Sequence, residues 1–330
     1  MPLVTPESKK TVDTTVFIPT FNGEKYLDRL LHAVESQDFA GNFEILIIDS
    51  GSSDATLDII GTHSAVRLVE IPGSEFGHGK TRNLAAKLAR GTNIAYLSHD
   101  AIPTDVNWLT NITAPLDPQG LNCVGVVGKH IARAHCSPLL KYEIEGVFRA
   151  CGPDGEITVI DGALSKTHEL TSGELFYSDV NSATRREFLL TTIPYRDVNF
   201  SEDMAFARDL LEAEYRKAYS ATAVVEHSND VTFAEYGKRI FDETLGMRKV
   251  GEGRQSLSWF QAKVRTVRDV LVSSGRIIRD EDYSVWAKAH WLFVNPAYAW
   301  TKWVNIRRAL NVSLDDYSRI AKYSLEAARA

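Results

Sequence analysis

Short runs of consecutive apolar residues alternate with polar loops and amphipathic segments over the first hundred residues of the chain. Runs whose polarity does not alternate are typical of strands covered on both faces, as in a parallel sheet. Between the first two runs, Leu27, Leu30, Leu31 and Val34 recur with helical spacing, which predicts a helix packed on that sheet. The predicted strands cover residues 15–19, 43–48, 65–71 and 93–97.

The order strand, loop, helix occurs about four times in this region. It predicts an α/β fold with a doubly wound, mainly parallel sheet flanked by helices. Polar residues collect where the predicted strands end, at Thr20 and Asn22, 49–54, 78–83 and His99-Asp100. Because ligands bind outside the carboxyl ends of strands in such sheets, this pattern predicts one binding site along that rim.

The pattern is less regular after about residue 120, where apolar runs at 124–127 and 223–225 predict further strands. Ser201 is a suitable N-cap for another helix, and the chain beyond Gly251 is predicted to be helical. We therefore expect a flexible tail over 1–13, an α/β domain over 14–250 with halves at 14–105 and 106–250, and a helical C-terminal appendage over 251–330.

Composition narrows the class of protein. Hydrophobic residues make up 44% and charged residues 24% of the 330 residues, which is ordinary for a globular protein and excludes a disordered chain. The net charge of -6, without a dominant basic stripe, predicts no nucleic-acid partner. Three cysteines without CxxC spacing favour a reducing compartment. With neither a signal-peptide pattern nor a long apolar run, a cytoplasmic location is expected.

The glycine-rich stretch from Gly73 to Gly79 belongs to neither of two common nucleotide-binding motifs. It lacks GxGxxG directly after the first strand, which speaks against a dinucleotide-binding domain. It also lacks GxxxxGK[ST], because the first glycine would have to be residue 74 and Gly73 is one residue too far from Gly79-Lys80-Thr81. A P-loop NTPase is therefore not expected.

Seven motifs carry a resemblance to a known family. They are TVFIPTFNGEKYL, IIDSGSSDAT, FGHGKTRNLA and YLSHDAIP in the first part of the chain, then SDVNSATRRE, NFSEDMAFARDLL and VVEHS. Their order and spacing resemble those of family 2 glycosyltransferases with the GT-A fold, over roughly residues 14–248. The forms FGHGKTRN and LSHDAIP are most similar to the bacterial rhamnosyltransferase branch.

The resemblance implies that residues 14–105 bind a nucleotide-sugar donor and that 106–250 bind the acceptor. Asp49 is then expected to bind the base, although a loop cap is the alternative, and a helix cap is the alternative for Ser52. Among the donor-binding residues implied are Pro19, Thr20, Asn22, Asp49, Ser52, Lys80, Arg82, Asn83, His99, Asp100, Asn181 and Arg185.

Lys80 and Arg82 follow the glycines at the start of a predicted helix. A phosphate bound there would meet backbone N–H groups, the positive helix end and two cations. Glycines allow the backbone to approach such a ligand closely. The alternative is a solvated basic helix face.

Ser98-His99-Asp100 stands where the family has its metal-binding DxD motif, with the first acid replaced. The resemblance implies Mg²⁺ or Mn²⁺ bound by Asp100, and by His227 at the end of a later strand. A carboxylate and an imidazole suit Mn²⁺ when diphosphate oxygens complete the ligand set. His227 as an ordinary core histidine, and His99 as the ligand instead, are the alternatives.

Asp203 is the candidate general base, and its neighbour Glu202 is expected to position the acceptor. Two adjacent acids raise the pKa of one member, which makes that member a better base. The alternative is that acids are favoured here simply because a helix begins.

Together these features predict an inverting enzyme that transfers a sugar, L-rhamnose from dTDP-L-rhamnose, to a saccharide or lipid-linked saccharide. A UDP-hexose donor and a non-catalytic nucleotide-binding partner are alternatives, whereas a nucleotidyltransferase is not expected, because its glycine-rich loop would follow the first strand.

The aromatic and basic residues beyond 250 predict either contact with lipid headgroups at the inner face of the cell membrane or a helical subdomain packed on the main domain or on a second subunit.

Overall fold

The structure, a computed structural model, describes residues 11–198, 201–229, 231–249 and 256–325. Within these ranges the chain forms two compact units. The first contains residues 11–131, Val147–Val198 and Glu202–His227, and the second contains Ala132–Gly146 with most of the chain after 227. Most of the predicted tail over 1–13 lies outside the described residues.

All nine strands among the described residues belong to one sheet of the first unit. The strands are β1 (Thr14–Thr20), β2 (Phe43–Asp49), β3 (Val66–Glu70), β4 (Asn93–Leu97), β5 (Ile102–Pro103), β6 (Gly125–Ile131), β7 (Ile157–Asp161), β8 (Asn181–Arg185) and β9 (Arg216–Glu226). Their order is β3-β2-β1-β4-β8-β6-β9-β5, and β7 pairs with β9.

Six of the nine strands, β1, β2, β3, β4, β6 and β9, point in the same direction. β1 pairs in parallel with β2 and β4, β2 with β3, and β6 with β9, whereas β8 is antiparallel to both β4 and β6. The ends of β1, β2, β4, β6 and β9 therefore share one rim of the sheet, and β8 starts there. This confirms the predicted mainly parallel α/β architecture and places the polar strand ends together.

Helices of the first unit cover the sheet. They are α1 (Leu27–Glu35), α2 (Thr56–Thr62), α3 (His78–Leu88), α4 (Trp108–Thr113), α6 (Ser172–Leu175), α7 (Arg186–Thr191) and α8 (Glu202–Glu212), while α5 (Pro138–Cys151) spans residues of both units. The four apolar residues with helical spacing, Leu27, Leu30, Leu31 and Val34, are fully buried in the core with Val16 and Ile18 of β1.

The described part of the second unit contains the start of α5 and four further helices. These are α9 (Phe233–Lys249), α10 (Trp259–Arg279), α11 (Val285–Asn311) and α12 (Tyr317–Tyr323). Phe241 and Leu245 of α9 are buried with Ala309 of α11. The boundary between units therefore falls after His227 and not at the expected 250, because α9 packs with the C-terminal helices.

The region after residue 120 differs most from expectation. The apolar run at 223–225 is only the C-terminal part of the eleven-residue strand β9. The helix α5 was not predicted from the sequence. Over the described residues, no helix combines the length and apolar content that crossing a bilayer requires.

Candidate active site

The loops after β1 and β2 are joined by a ladder of hydrogen bonds. The backbone N–H of Asn22 donates to Ser52 Oγ at 2.9 Å, and Asn22 Oδ1 accepts from the N–H of Ser53 at 2.9 Å. The N–H of Gly23 donates to Thr56 Oγ1 at 2.8 Å. Asn22 itself has a φ of 49°, the left-handed region that asparagine tolerates better than most residues. The two loops thus form one wall of the rim.

Asp49 organises this wall. Its Oδ1 accepts from Thr20 Oγ1 at 2.8 Å and from Ser52 Oγ at 2.5 Å, and its Oδ2 accepts from the N–H groups of Gly51 and Ser52, both at 2.9 Å. The side chain is buried. Asp49 therefore holds its own loop, as the loop-cap alternative requires, and base binding by Asp49 stays a prediction. Pro19 lies half-buried in β1 beside this wall.

His99 connects the wall to the loop after β4. A Cβ atom placed on Gly23 would lie 3.2 Å from the His99 ring, so the ring packs on the glycine backbone. The next residue, Asp100, has its Oδ2 at 3.4 Å from His227 Nε2. The predicted metal pair is thus brought together, while His99 faces the turn after β1.

Strand pairing explains the meeting of Asp100 and His227. β5 runs antiparallel to β9 with Ile102 opposite Glu226, so the residue two before β5 lies beside the residue that follows β9. His130 of β6 packs next to His227, with ring centroids 5.5 Å apart. Burial lowers the pKa of His130 well below its usual value, and the nearby His227 lowers it further. His130 is therefore a neutral residue that packs beside the predicted metal pair.

Arg82 of α3 lies between two buried carboxylates. Its Nε is 2.8 Å from Asp179 Oδ2, and its Nη1 donates to Glu202 Oε1 at 2.5 Å. Asp203 follows Glu202, and its Oδ2 accepts from the backbone N–H of Asp179 at 3.4 Å. Two carboxylates from separate segments thus contact one guanidinium, and the Asp203 carboxylate lies next to them.

This carboxylate cluster, defined as Asp179, Glu202 and Asp203, lies on the same rim as Asp100. The backbone N–H of Ser98 donates to the carbonyl of Val180 at 3.3 Å, which places the loop that carries Asp100 beside the one that carries Asp179. Asp179 therefore joins the predicted catalytic residues, at the start of α8, to the loop that carries Asp100.

Burial and mutual repulsion set the protonation of the cluster. Burial raises the pKa of Asp203 well above its ordinary value, and the charges of Glu202 and Asp179 raise it further, against the opposing effect of Arg82. Burial also raises the pKa of Asp179. Burial acts to lower the pKa of Arg82, but the charges of Asp179 and Glu202 raise it above its ordinary value. A permanent cation, Arg82, therefore contacts the carboxylate cluster, in which Asp203 has an unusual affinity for a proton.

The position of Arg82 favours a structural role over the predicted phosphate binding. Its guanidinium is bound to carboxylates and is buried, whereas phosphate binding needs an accessible cation. Lys80, by contrast, is exposed on the first turn of α3. A Cβ on Gly79 would lie 2.1 Å from the carbonyl oxygen of Arg196, so this glycine is required by packing against the chain, and not by a ligand.

Three other predicted donor-binding residues have structural partners. Asn83 Oδ1 accepts from the N–H of Tyr195, and its Nδ2 donates to the carbonyl of the same residue. Asn181 is fully buried, and its amide bonds Trp108 and two backbone carbonyls. Arg185 lies opposite Asn93, at the start of β4, which is the edge of the sheet away from the rim. Arg185 therefore lies away from the rim, and its role in donor binding stays a prediction.

The sequence did not single out Asp179 or Tyr195. Asp179 is fully enclosed and also accepts from Ser182 Oγ at 2.6 Å and Tyr195 Oη at 2.9 Å. The motif SDVNSATRRE, which contains this acid, was the available signal for Asp179. Tyr195 had none, because its role depends on a contact with a distant segment.

Comparison with known proteins places these features in a family. Residues 15–190, more than half of the chain, match the family described as Glycosyl transferase family 2. The O-antigen chain rhamnosyltransferase RfbN of Salmonella typhimurium (strain LT2) is 29% identical over 232 residues, which cover 69% of this chain and 70% of that protein. The rhamnosyltransferase WbaN of Salmonella anatum shows the same identity and coverage.

Solved structures show the same fold. TarS 1-349 of S. aureus, in complex with UDP-GlcNAc, superposes with a TM-score of 0.54 at 18% identity, over 94% of this chain and 79% of that one. The mannosyltransferase PcManGT of Pyrobaculum calidifontis, in complex with GDP-Man and Mn²⁺, gives 0.52 at 16% identity, over 98% and 84%. The expected GT-A fold is therefore confirmed. With this fold and the match over residues 15–190, the chain belongs to glycosyl transferase family 2 and is a glycosyltransferase.

Proposed function

We propose that this protein is an inverting glycosyltransferase that moves L-rhamnose from dTDP-L-rhamnose to a hydroxyl of a cell-surface polysaccharide or lipid-linked saccharide precursor. One observation carries the proposal: Asp203, Asp100 and His227 lie on the same rim of the sheet. Burial raises the pKa of the Asp203 carboxyl group. The choice of rhamnose follows the two relatives named as rhamnosyltransferases, each 29% identical.

Asp203 acts as the general base in this proposal. As the acceptor oxygen forms its bond to the anomeric carbon, its proton passes to the Asp203 carboxylate. The bond between that carbon and the diphosphate oxygen breaks on the opposite side, and the nucleoside diphosphate leaves with the electron pair. Attack from the opposite side inverts the anomeric configuration.

Glu202 and Arg82 support this base without receiving the proton. Arg82 binds Glu202 and Asp179 directly. Its positive charge therefore offsets the repulsion that these two carboxylates exert on the Asp203 carboxylate. We therefore assign Glu202 a positioning role through Arg82, in place of the direct contact with the acceptor that the sequence predicted. Lys80, exposed at the positive end of α3, is the side chain suited to the diphosphate.

Asp100 and His227 fit a divalent cation. Their ligand atoms are 3.4 Å apart, and adjacent ligands of one ion at about 2.0–2.6 Å lie roughly 3–3.5 Å from each other. One carboxylate oxygen and one imidazole nitrogen suit Mn²⁺ better than Mg²⁺, which prefers oxygen alone. Bound there, the cation would neutralise charge on the diphosphate. Asn22, Ser52 and Asp49 would form the wall on the nucleoside side.

Release of nucleoside diphosphate from a panel of donors tests the proposal. We expect the purified full chain to turn over dTDP-L-rhamnose in preference to UDP-glucose and GDP-mannose, to need Mn²⁺ or Mg²⁺, and to stop when EDTA is added. The variant His227→Ala should require more Mn²⁺, and His168→Ala, an exposed histidine far from these ligands in sequence, is the matched control. Preference for a UDP-hexose would support that alternative donor. Tight nucleotide binding without turnover of any donor would identify a non-catalytic partner.

We further propose that the second unit contacts anionic lipid, which fits a lipid-linked acceptor. α10 exposes an apolar stripe, defined as Phe260, Val264, Val267, Leu271 and Ile278. Spacings of four, three, four and seven residues keep these side chains on one side of a helix that turns about 100° per residue. Exposed basic residues, Lys263, Arg268 and Arg279, flank the stripe on the same helix. This combination of an apolar face with basic flanks is typical of helices that lie at a membrane surface.

Co-sedimentation with vesicles tests this contact. The full chain should bind vesicles rich in phosphatidylglycerol and bind phosphatidylcholine vesicles weakly, and Leu271→Glu should abolish binding, because it places a charge in the centre of the stripe. Glu281→Gln, an exposed change outside the stripe, is the control. A wild-type chain that dimerises and ignores vesicles, with Leu271→Glu monomeric, would show instead that a second copy covers the stripe.

A further inference from the structure

A second group of metal-ligating side chains lies outside the candidate active site, on α1 and directly after α2. Asp28 and His32 are one helical turn apart on α1, and His63 follows the end of α2. One ligand atom from each of the three lies within 4.8 Å of the other two. We call these residues the α1–α2 cluster. All of them belong to the first unit.

The cluster has the dimensions of a zinc site. His63 Nε2 is 3.3 Å from Asp28 Oδ1, and His32 Nε2 is 3.8 Å from the same oxygen. Ligands of a tetrahedral Zn²⁺ at about 2.0–2.1 Å lie roughly 3.3 Å from each other. Small movements of the exposed Asp28 and His32 side chains would therefore complete three corners of a tetrahedron.

The carboxylate of Glu35 orients His63. Its Oε1 is 3.1 Å from His63 Nδ1, while His63 Nε2 faces Asp28. The His63 side chain is only 4% exposed, so its ring is held in this orientation. A carboxylate bound to the far nitrogen of a ligating histidine is a recurrent support in metal sites, because it fixes the tautomer and the ring.

The His63 ring has a carboxylate oxygen opposite each of its two nitrogens. An imidazolium donates a proton to both oxygens, whereas a neutral imidazole has one N–H and a lone pair on the other nitrogen. When Nδ1 donates to Glu35, that lone pair lies on Nε2, which faces Asp28. A cation between Nε2 and the Asp28 carboxylate would then bind both groups.

We propose that the α1–α2 cluster binds Zn²⁺ through His63 Nε2, His32 Nε2 and Asp28 Oδ1, with water as the fourth ligand and Glu35 as the supporting carboxylate. Two imidazoles and one carboxylate favour zinc over Mg²⁺ or Mn²⁺, which prefer oxygen ligands. The site is distinct from the Asp100–His227 pair and does not depend on the proposed reaction.

Such a site would link α1 to the end of α2. Each of these helices follows one of the two loops that form the wall of the candidate active site. α1 follows the loop that contains Asn22, and α2 follows the loop that contains Ser52. Because zinc would bind the folded arrangement and not the unfolded chain, it stabilises the first unit. The role is therefore structural.

Calorimetric titration of the chelator-treated full chain with Zn²⁺, without nucleotide, tests the proposal. Wild type should bind one equivalent that raises Tm, and Co²⁺ should give the intense visible absorption of a tetrahedral site. His32→Ala should weaken zinc binding at least about ten-fold, and Glu35→Gln about 10- to 100-fold, as expected for loss of a supporting carboxylate. His32 is largely exposed, so its removal should leave Tm in chelator unchanged.

Two controls separate this site from others. His168→Ala removes an exposed histidine that contacts a single carboxylate, Glu174 Oε1, at 3.0 Å, and it should keep full zinc binding. His227→Ala should also keep it, because His227 belongs to the other pair. If wild type binds no zinc, or if His227→Ala loses the equivalent and His32→Ala keeps it, the proposal is overturned. Neither result depends on which sugar donor the enzyme uses.

Discussion

Asp203→Asn is expected to lower kcat by about 10²–10⁴-fold, the contribution of a positioned general base. The amide has almost the same shape as the carboxylate but cannot accept the proton of the acceptor hydroxyl. Nucleoside diphosphate release at saturating donor measures this loss. Glu212→Gln changes an exposed acid at the end of the same helix and should leave kcat unchanged. A kcat for Asp203→Asn within a few-fold of wild type would exclude Asp203 as the base.

The same substitution is expected to raise Tm. Because burial raises the pKa of Asp203, the folded protein keeps this proton to a higher pH than the unfolded chain, in which an aspartate titrates near 4. Between these two pKa values the folded state binds more protons, so stability falls as pH rises. The asparagine variant lacks that loss.

Activity should depend on pH in the opposite sense. The base must be ionised to act, so kcat/KM is expected to rise with pH through the raised pKa of Asp203, above the range of an ordinary aspartate. A thermal scan and a rate profile over the same pH series would show stability falling where activity rises. This opposition is expected of a buried carboxylate that acts as a base.

Arg82→Met is expected to destabilise the first unit by about 3–5 kcal/mol, the cost of removing one partner from a buried ion pair. The methionine fills a similar volume but leaves Glu202 and Asp179 without the cation that contacts both. Urea denaturation at neutral pH measures the loss. It should shrink at lower pH, because protonated carboxyl groups no longer repel each other.

Two further variants make this test specific. Lys80→Met removes an exposed cation from the same helix and should change stability by less than about 0.5 kcal/mol. Adding Asp179→Asn and Glu202→Gln to Arg82→Met should restore much of the loss, because the repelling charges are then gone. An Arg82→Met variant as stable as Lys80→Met would show that the guanidinium does not balance the carboxylates.

Arg82 also illustrates where sequence reasoning stops. A basic residue after glycines at a helix start fits phosphate binding, and the sequence contains nothing that distinguishes the side of α3 that faces solvent from the side that faces α8. Asn83, Asn181 and Arg185 were assigned to the donor by motif position in the same way. In the structure, their amide and guanidinium groups bind backbone and side chains of the protein.

Local periodicity determined the first half of the fold. The predicted strand at 93–97 coincides with β4. The strand predicted at 43–48 ends one residue before β2 ends, and the strand predicted at 65–71 extends one residue beyond β3 at each end. Unalternating apolar runs predict strand position well, because burial on both faces leaves no other arrangement. The shared rim followed from the same reasoning, since parallel strands end on one edge.

By itself the sequence determined the parallel sheet, the rim on which polar loops gather and the family. Only the tertiary structure decided which polar residues are partners: Arg82 with Glu202, 120 positions later, Asp100 with His227, and His63 with Asp28 and Glu35. The physical reason is that strand and helix patterns depend on neighbours along the chain, whereas a buried charge is neutralised by whichever side chain the packing brings near.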